Sequence, residues 1–150
     1  MTLEEFEAFV GQEIACTPWI SITQERIDLF AEATGDRQFI HVDPERAAQG
    51  PFGQTIAHGF LTLSLIAGEF LTQGGLPKLK GNGTLVNYGL NKVRFLTPVM
   101  VGAHVRNRAV LNEFTRHEGY VQFTFTNTVE IENASRPALV AEVIFRYYTS

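Results

Sequence analysis

The sequence has one cysteine, Cys16, among 150 residues. That excludes a disulfide framework within the chain and any cysteine-rich zinc site. Cys16 itself reads as a small, half-buried strand residue rather than a catalytic thiol. A basic excess is also missing: 12 Lys and Arg stand against 16 Asp and Glu, for a net charge of −4. This argues against nucleic acid as a partner, which needs a basic face. No apolar run approaches the roughly 20 residues that span a bilayer, so no membrane is expected. The start Met1-Thr2-Leu3-Glu4-Glu5 is acidic and lacks the basic and apolar regions of a signal peptide. The cytoplasm is therefore the expected compartment. No His/Asp/Glu cluster has metal-ligand spacing, and Gly81-Asn82-Gly83 lacks the Lys-Ser/Thr ending of a phosphate loop. Neither a metal nor a cofactor is expected.

What is present reads as one globular domain over residues 1–150. The apolar share is 45% and the charged share 19%, and no repeat or linker divides the chain. The first half reads helical or irregular and the second half as strands, which predicts an α+β fold. Leu3, Phe6, Phe9 and Val10 have helical spacing, and Cys16 to Ile22 reads as a short strand. Thr23 supplies an N-cap, Ile27, Phe30 and Ala31 share one face, and Gly35 stops that helix. His58 to Thr72 is apolar on nearly every side, which predicts a buried helix. Strands are expected at about Leu85 to Leu96, Ala103 to Glu113, Gly119 to Ile131 and Ala138 to Tyr148. Thr115 to Gly119 and Asn133 to Pro137 read as the joining turns. The picture is an antiparallel sheet wrapped around one buried helix.

The long segment from Asp36 to Ala57 has turn signals at Asp43-Pro44, Gln49-Gly50-Pro51 and Gly53. Long loops of this kind are often functional. Asp36 and His41 lie five positions apart in it, after Gly35. A looped chain can bring both side chains to one small volume. Hydration of an activated double bond needs such a pair, one group to deprotonate water and one to deliver a proton to the neighbouring carbon. The plainer reading is a turn aspartate and a semi-buried histidine. Asp43 reads as the cap of a short helical turn. His58 reads as bonding backbone near the helix start, with its imidazole a second candidate for substrate. Gly59 would place an unpaired N–H of the helix N-terminus where a thioester oxygen could approach. His104 and His117 read as exposed.

At these residues the chain resembles a known family. Phe30, Gly35, Asp36, Ile40, His41 and Ala47 fill the pattern of MaoC-like, R-specific enoyl-CoA hydratases, and Ile56-Ala57-His58-Gly59-Phe60 is similar to the start of that family's central helix. Gln38-Phe39-Ile40-His41-Val42-Asp43-Pro44-Glu45-Arg46-Ala47 is most similar to the short, nodulation protein N-like branch. Two positions depart from the pattern. Gln38-Phe39 stands where Asn-Pro is usual, and Ala67 where a serine is often found. Ser64, one turn earlier, is the candidate substitute.

The resemblance implies a hot-dog fold and a hydro-lyase that converts a trans-2-enoyl thioester of CoA or a carrier protein to the (R)-3-hydroxyacyl thioester. It implies Asp36 and His41 as the catalytic pair and the Gly59 backbone as oxyanion donor. His58, Ser64, Asn91, Lys92 and Arg94 are the expected substrate contacts. Lys78, Lys80, Arg106 and Arg108 are further basic positions, read either as a solvated face or as phosphate contacts. A homodimer is expected, because one sheet curled on one helix leaves a free strand edge. The competing functions are a hot-dog thioesterase and a non-catalytic acyl-binding module. A thioesterase usually carries its carboxylate on or beside the central helix, where this chain offers only Glu69.

Overall fold

The computed structural model describes residues 1–149. Its framework is an antiparallel sheet of six strands: β1 (Glu13–Cys16), β2 (Ile20–Ser21), β3 (Thr84–Phe95), β4 (His104–His117), β5 (Tyr120–Ile131) and β6 (Leu139–Tyr148). The order is β1-β4-β5-β6-β3, with β2 also pairing with β4 beyond β1. Period-2 alternation puts Val105, Ala109 and Leu111 of β4 on the concave face. Beside them lie Val121, Phe123, Phe125 and Val129 of β5 and Leu139, Ala141, Val143 and Phe145 of β6, all buried. This face closes on the central helical segment, α5, which begins at Gly59–Ser64. The α+β arrangement expected from the sequence is the arrangement found, in the hot-dog form.

Three of the helices before β3 begin with side-chain caps. In α1 (Leu3–Glu7), Thr2 Oγ1 accepts from the N–H of Glu5 at 3.1 Å, and the Glu5 carboxylate accepts from the N–H of Thr2 at 2.7 Å. The helix ends at Glu7 rather than at Val10, and it docks on the sheet through Phe6, which meets Phe114, Phe123 and Phe125. Thr23 caps α2 (Gln24–Thr34) by accepting from the N–H of Arg26 at 3.1 Å. Gly35 ends α2 in the left-handed region at φ 82°, where a glycine carries no Cβ penalty. The segment read as irregular holds two further turns of helix, α3 (Phe39–Val42) and α4 (Pro44–Ala48). Asp43 caps α4 as expected, accepting from the N–H of Arg46 at 3.1 Å.

Four sequence expectations need correction. The strand read over Cys16 to Ile22 is broken into β1 and β2 around Pro18, which has no N–H to give the ladder. Cys16 at the end of β1 is exposed rather than half-buried. β4 continues through His117, so Thr115, Arg116 and His117 are strand, and the turn is Glu118-Gly119 with Gly119 at φ 83°. The helix read as His58 to Thr72 is regular only as far as Ser64. Ile66, Ala67 and Gly68 then bond three residues back, Phe70 bonds five back to Leu65, and Leu71–Gly75 is a π turn. Ser64 contributes to the break by donating its hydroxyl to the Leu61 carbonyl at 2.7 Å. Leu61, Leu63, Leu65, Ile66 and Phe70 are buried, but Phe60 is 68% exposed, so burial is one-sided.

β3 forms one edge of the sheet. It carries bulges between Asn87 and Gly89 and between Asn91 and Arg94, with Lys92 at φ 50° in the second. Val86, Tyr88, Leu90 and Phe95 of this edge are exposed. Among the described residues no helix is long and apolar enough to cross a membrane.

Candidate active site

Gly35 turns the chain out of α2 and delivers Asp36 to the mouth of the site. The neighbouring cation does not neutralise it. Arg37 instead forks onto Glu32, with bonds of 2.7 and 3.2 Å, and this pair holds the Glu32 carboxyl below its usual range. The Asp36 side chain is 42% exposed. Its Oδ1 lies 3.4 Å from the N–H of Gln38, a long contact that leaves capacity to accept from a ligand or water.

The single turn of α3 carries His41 inward, where it is buried. His41 Nδ1 lies 2.7 Å from the carbonyl oxygen of Ile56. A carbonyl only accepts, so Nδ1 carries the proton and Nε2 presents its lone pair. That nitrogen is 3.8 Å from Asp36 Oδ2. The gap is too long for a direct hydrogen bond. It suits two acceptors that share the protons of one water.

His58 lies behind this pair. Its Nε2 donates to the backbone carbonyl of Asp36 at 2.9 Å. Its ring stacks on His41 with centroids 3.8 Å apart and planes 23° apart, while Phe30 of α2 covers it at 4.9 Å. Asp36, His41 and His58 have ligand-type atoms within 4.8 Å of one another. The two imidazoles are not posed for one ion, however. A ring nitrogen's lone pair lies in the ring plane, so near-parallel stacked rings aim past a common point, and each ring already spends one nitrogen on a carbonyl.

Gln24 and Thr55 escape the sequence reading. Gln24 Nε2 donates to the His41 carbonyl at 2.7 Å, and Gln24 Oε1 accepts from Thr55 Oγ1 at 2.6 Å. One amide thus ties α2 to α3 and to the strand-like segment before α5. The only sequence signal was the position of Gln24 beside the cap Thr23.

Gly59 opens α5, and its N–H has no preceding helical carbonyl to bond. A Cβ at this position would come within 2.9 Å of the Phe95 ring, so that ring packs directly on the open backbone of Gly59. A cavity of about 360 Å³ adjoins it, lined by Ile56, Ala57, Thr62, Phe95 and Val99 among others. Asp36 and His41 sit beside this cavity rather than in its wall, and Ile56, the anchor of His41, belongs to both. Thr62 is 2% exposed, and its hydroxyl has no partner.

The remaining expected contacts are spread out. Ser64 faces a second cavity, about 340 Å³, with Phe60, Tyr88 and Leu90, away from the Asp36–His41 pair. Asn91, Lys92 and Arg94 are exposed on β3. Lys92 Nζ lies 3.7 Å from Glu142, and Arg94 bonds the carbonyl of its neighbour Val93 at 2.7 Å. Arg106 and Arg108 are committed to Glu130 and Glu13, at 3.1 and 2.7 Å, so these two are a paired face. His104 and His117 are exposed, as expected.

Comparison with known proteins agrees with this geometry. The family model described as MaoC like domain matches residues 5–133. The chain is 48% identical to 3-hydroxyacyl-thioester dehydratase Z of Mycobacterium tuberculosis over 97% of this chain and 95% of that protein. It is 49% identical to nodulation protein N of Rhizobium leguminosarum bv. viciae over 96% of this chain and 89% of that protein. Among solved structures it is similar to the unliganded R-hydratase PhaJ1 from Pseudomonas aeruginosa. That match has a TM-score of 0.68 and 28% identity, and it covers 91% of this chain and 79% of that one.

The Gln24 bridge yields a stability test. Gln24→Leu leaves the buried Thr55 hydroxyl and the His41 carbonyl unpaired, which costs about 1–3 kcal/mol for an orphaned group. Adding Thr55→Val should recover part of the loss, because both members of one bond are then apolar. Denaturant melts of the three proteins check this; a double variant less stable than Gln24→Leu contradicts the bridge.

Proposed function

The chain belongs to the MaoC-like domain family, and from that premise we propose that it is a hydro-lyase acting on a trans-2-enoyl thioester, with Asp36 and His41 as the catalytic pair. The whole chain acts as one domain. The observation that carries the reading is the pose of His41: Nδ1 is fixed on the Ile56 carbonyl, and Nε2 stands 3.8 Å from the Asp36 carboxylate. Its close relative in M. tuberculosis, matched over nearly the full length of both chains, is named as a 3-hydroxyacyl-thioester dehydratase.

In hydration, one water donates a hydrogen bond to Asp36 and another to His41 Nε2. Its oxygen adds to C3 while His41 takes its proton, and charge moves through C2 onto the thioester oxygen. The N–H of Gly59 faces that oxygen; a donor of this kind is worth about 2.7–4 kcal/mol in the transition state. His41 then returns the proton to C2, giving the (R)-3-hydroxyacyl thioester. Dehydration is the same path reversed. The carrier is CoA or a carrier protein, and the chemistry requires no cofactor.

The thioesterase alternative loses its candidate carboxylate. Glu69 is ion-paired with Arg26 and accepts from Gln73 at 2.9 Å, so it is not free to activate water. A non-catalytic acyl-binding module has no use for a tautomer-fixed histidine facing a carboxylate.

Two copies of the chain join along β3. The physical motive is the exposed edge with Val86, Tyr88, Leu90 and Phe95, continued by Leu96 and by Phe60 of α5. The cytoplasm, where thiols stay reduced, suits the exposed Cys16.

Light scattering at micromolar concentration should give twice the chain mass; a monomer there contradicts the joined edge. Activity is tested on a panel of 2-enoyl-CoA thioesters, followed by loss of the conjugated enoyl absorbance with thiol release in parallel. Hydration without thiol release is expected. Asp36→Asn and His41→Gln should each lower kcat by about 10²–10⁴-fold. The double variant should be little worse than either, since the pair acts as a unit. Asp36→Asn is the cleaner variant, because Asp36 is half-exposed while buried His41 also supports the fold. Near-normal hydration by folded Asp36→Asn would refute the assignment.

A further inference from the structure

We infer that His58 is a positioning residue, a neutral ring that fixes both members of the catalytic pair without touching substrate. The inference rests on the hydro-lyase reading and develops the first of the two readings of His58, a backbone bond, over the second, a substrate contact. His58 is 3% exposed, lying between the Phe30 and His41 rings, so a thioester has no route to it.

Two separate contacts do the positioning. The Nε2–H bond to the Asp36 carbonyl, at 2.9 Å, holds the backbone that carries the carboxylate. The stack at 3.8 Å holds the plane of the His41 ring, and with it the direction of the Nε2 lone pair. Phe30 closes the far side at 4.9 Å, so the histidine cannot tilt away from its neighbour. A backbone bond to Asp36 and a ring contact to His41 therefore meet in one side chain, and the 3.8 Å separation of the pair is set by it.

The unused nitrogen supports the same reading. Since Nε2 donates to a carbonyl, Nδ1 is the bare nitrogen of the neutral tautomer, and it is buried with no partner. Among the described residues nothing accepts from a proton at Nδ1. That matters because His41 gains positive charge when it takes the proton of water. A neutral aromatic face beneath it accommodates that charge, whereas a cationic one would repel it. His58 makes no side-chain cap bond to α5, so its replacement removes no cap bond from that helix.

The two contacts can be separated by substitution. His58→Gln keeps a donor within reach of the Asp36 carbonyl and removes the face; His58→Phe keeps the face and removes the donor. Both are measured with trans-2-butenoyl-CoA, alongside the ring ¹⁵N signals of His41 in labelled full-length protein. We expect kcat to fall about 100-fold in each, as for a misplacement of about 1 Å, with KM unchanged within about two-fold. Nδ1 of His41 should stay protonated on the Ile56 carbonyl in both variants. In His58→Gln the His41 ring signals should broaden as the ring loses its packed plane, and in His58→Phe they should stay sharp. A rise in KM at constant kcat would overturn the inference, because His58 would then meet substrate. Unchanged His41 signals in His58→Gln would overturn it as well, leaving a purely structural role. The nuclear resonance arm needs no turnover. If the wild-type protein hydrated none of the thioesters tested, the hydro-lyase reading would fail while the positioning of His41 would still be decided.

Discussion

The bond from His41 Nδ1 to the Ile56 carbonyl is the contact on which the site depends. It decides which nitrogen of His41 is basic and where that nitrogen points. The carbonyl itself is held from both directions along the chain. Ile56 N–H donates back to Ile40 at 2.9 Å, Ala57 N–H donates to Val99 at 2.8 Å, and Val101 N–H donates to Thr55 at 3.0 Å. The histidine is therefore referenced to the β3–β4 connection and through it to the sheet. A side chain on a four-residue helix would be poorly placed by that helix alone. Here the helix supplies direction, and the sheet supplies rigidity.

The legible parts of this architecture were those governed by local rules. Strand alternation in β5 pointed Val121, Phe123, Phe125 and Val129 inward, because side chains two apart must share a face. Thr23, Gly35 and Asp43 announced their caps, since each meets a backbone need that only a few residue types fill. Asp36 and His41 were legible as a pair chiefly through the family resemblance, which glycine, carboxylate and imidazole in one loop help to carry; their spacing alone fits a turn aspartate and a semi-buried histidine equally well. The illegible parts depend on contacts distant in sequence. Gln24 meets Thr55 across 31 residues, and His58 meets Asp36 across 22. Nothing in either local sequence states those pairings. The break after Ser64 was hidden for another reason: the apolar run from Phe60 to Leu71 fits a regular helix and an irregular one equally well. The exposure of Phe60 shows that its apolar character serves the open side toward β3 as well as the core.

The division of labour between rigid and adjustable parts follows. Phe6, Phe70, Phe123 and Phe145 are fully buried or nearly so and lock the sheet to the central segment. The groups proposed to meet a ligand lie instead at ends and edges: Asp36 after a helix C-cap, Gly59 at a helix start, Phe95 at the end of an edge strand. Phe95 packs against the open backbone of Gly59 and remains 48% exposed. Its ring lines the cavity that adjoins Gly59.

In the proposed mechanism Asp36 and His41 act from one face of the bound thioester, so water and proton must reach the double bond from one side. Hydration of trans-2-butenoyl-CoA in D₂O, followed by stereochemical analysis of the product, tests this directly. The account predicts the (R) alcohol with a single deuterium at C2, added on the same face as the oxygen. Deuterium on the opposite face, or equal amounts on both, would contradict a single pair acting on a single water.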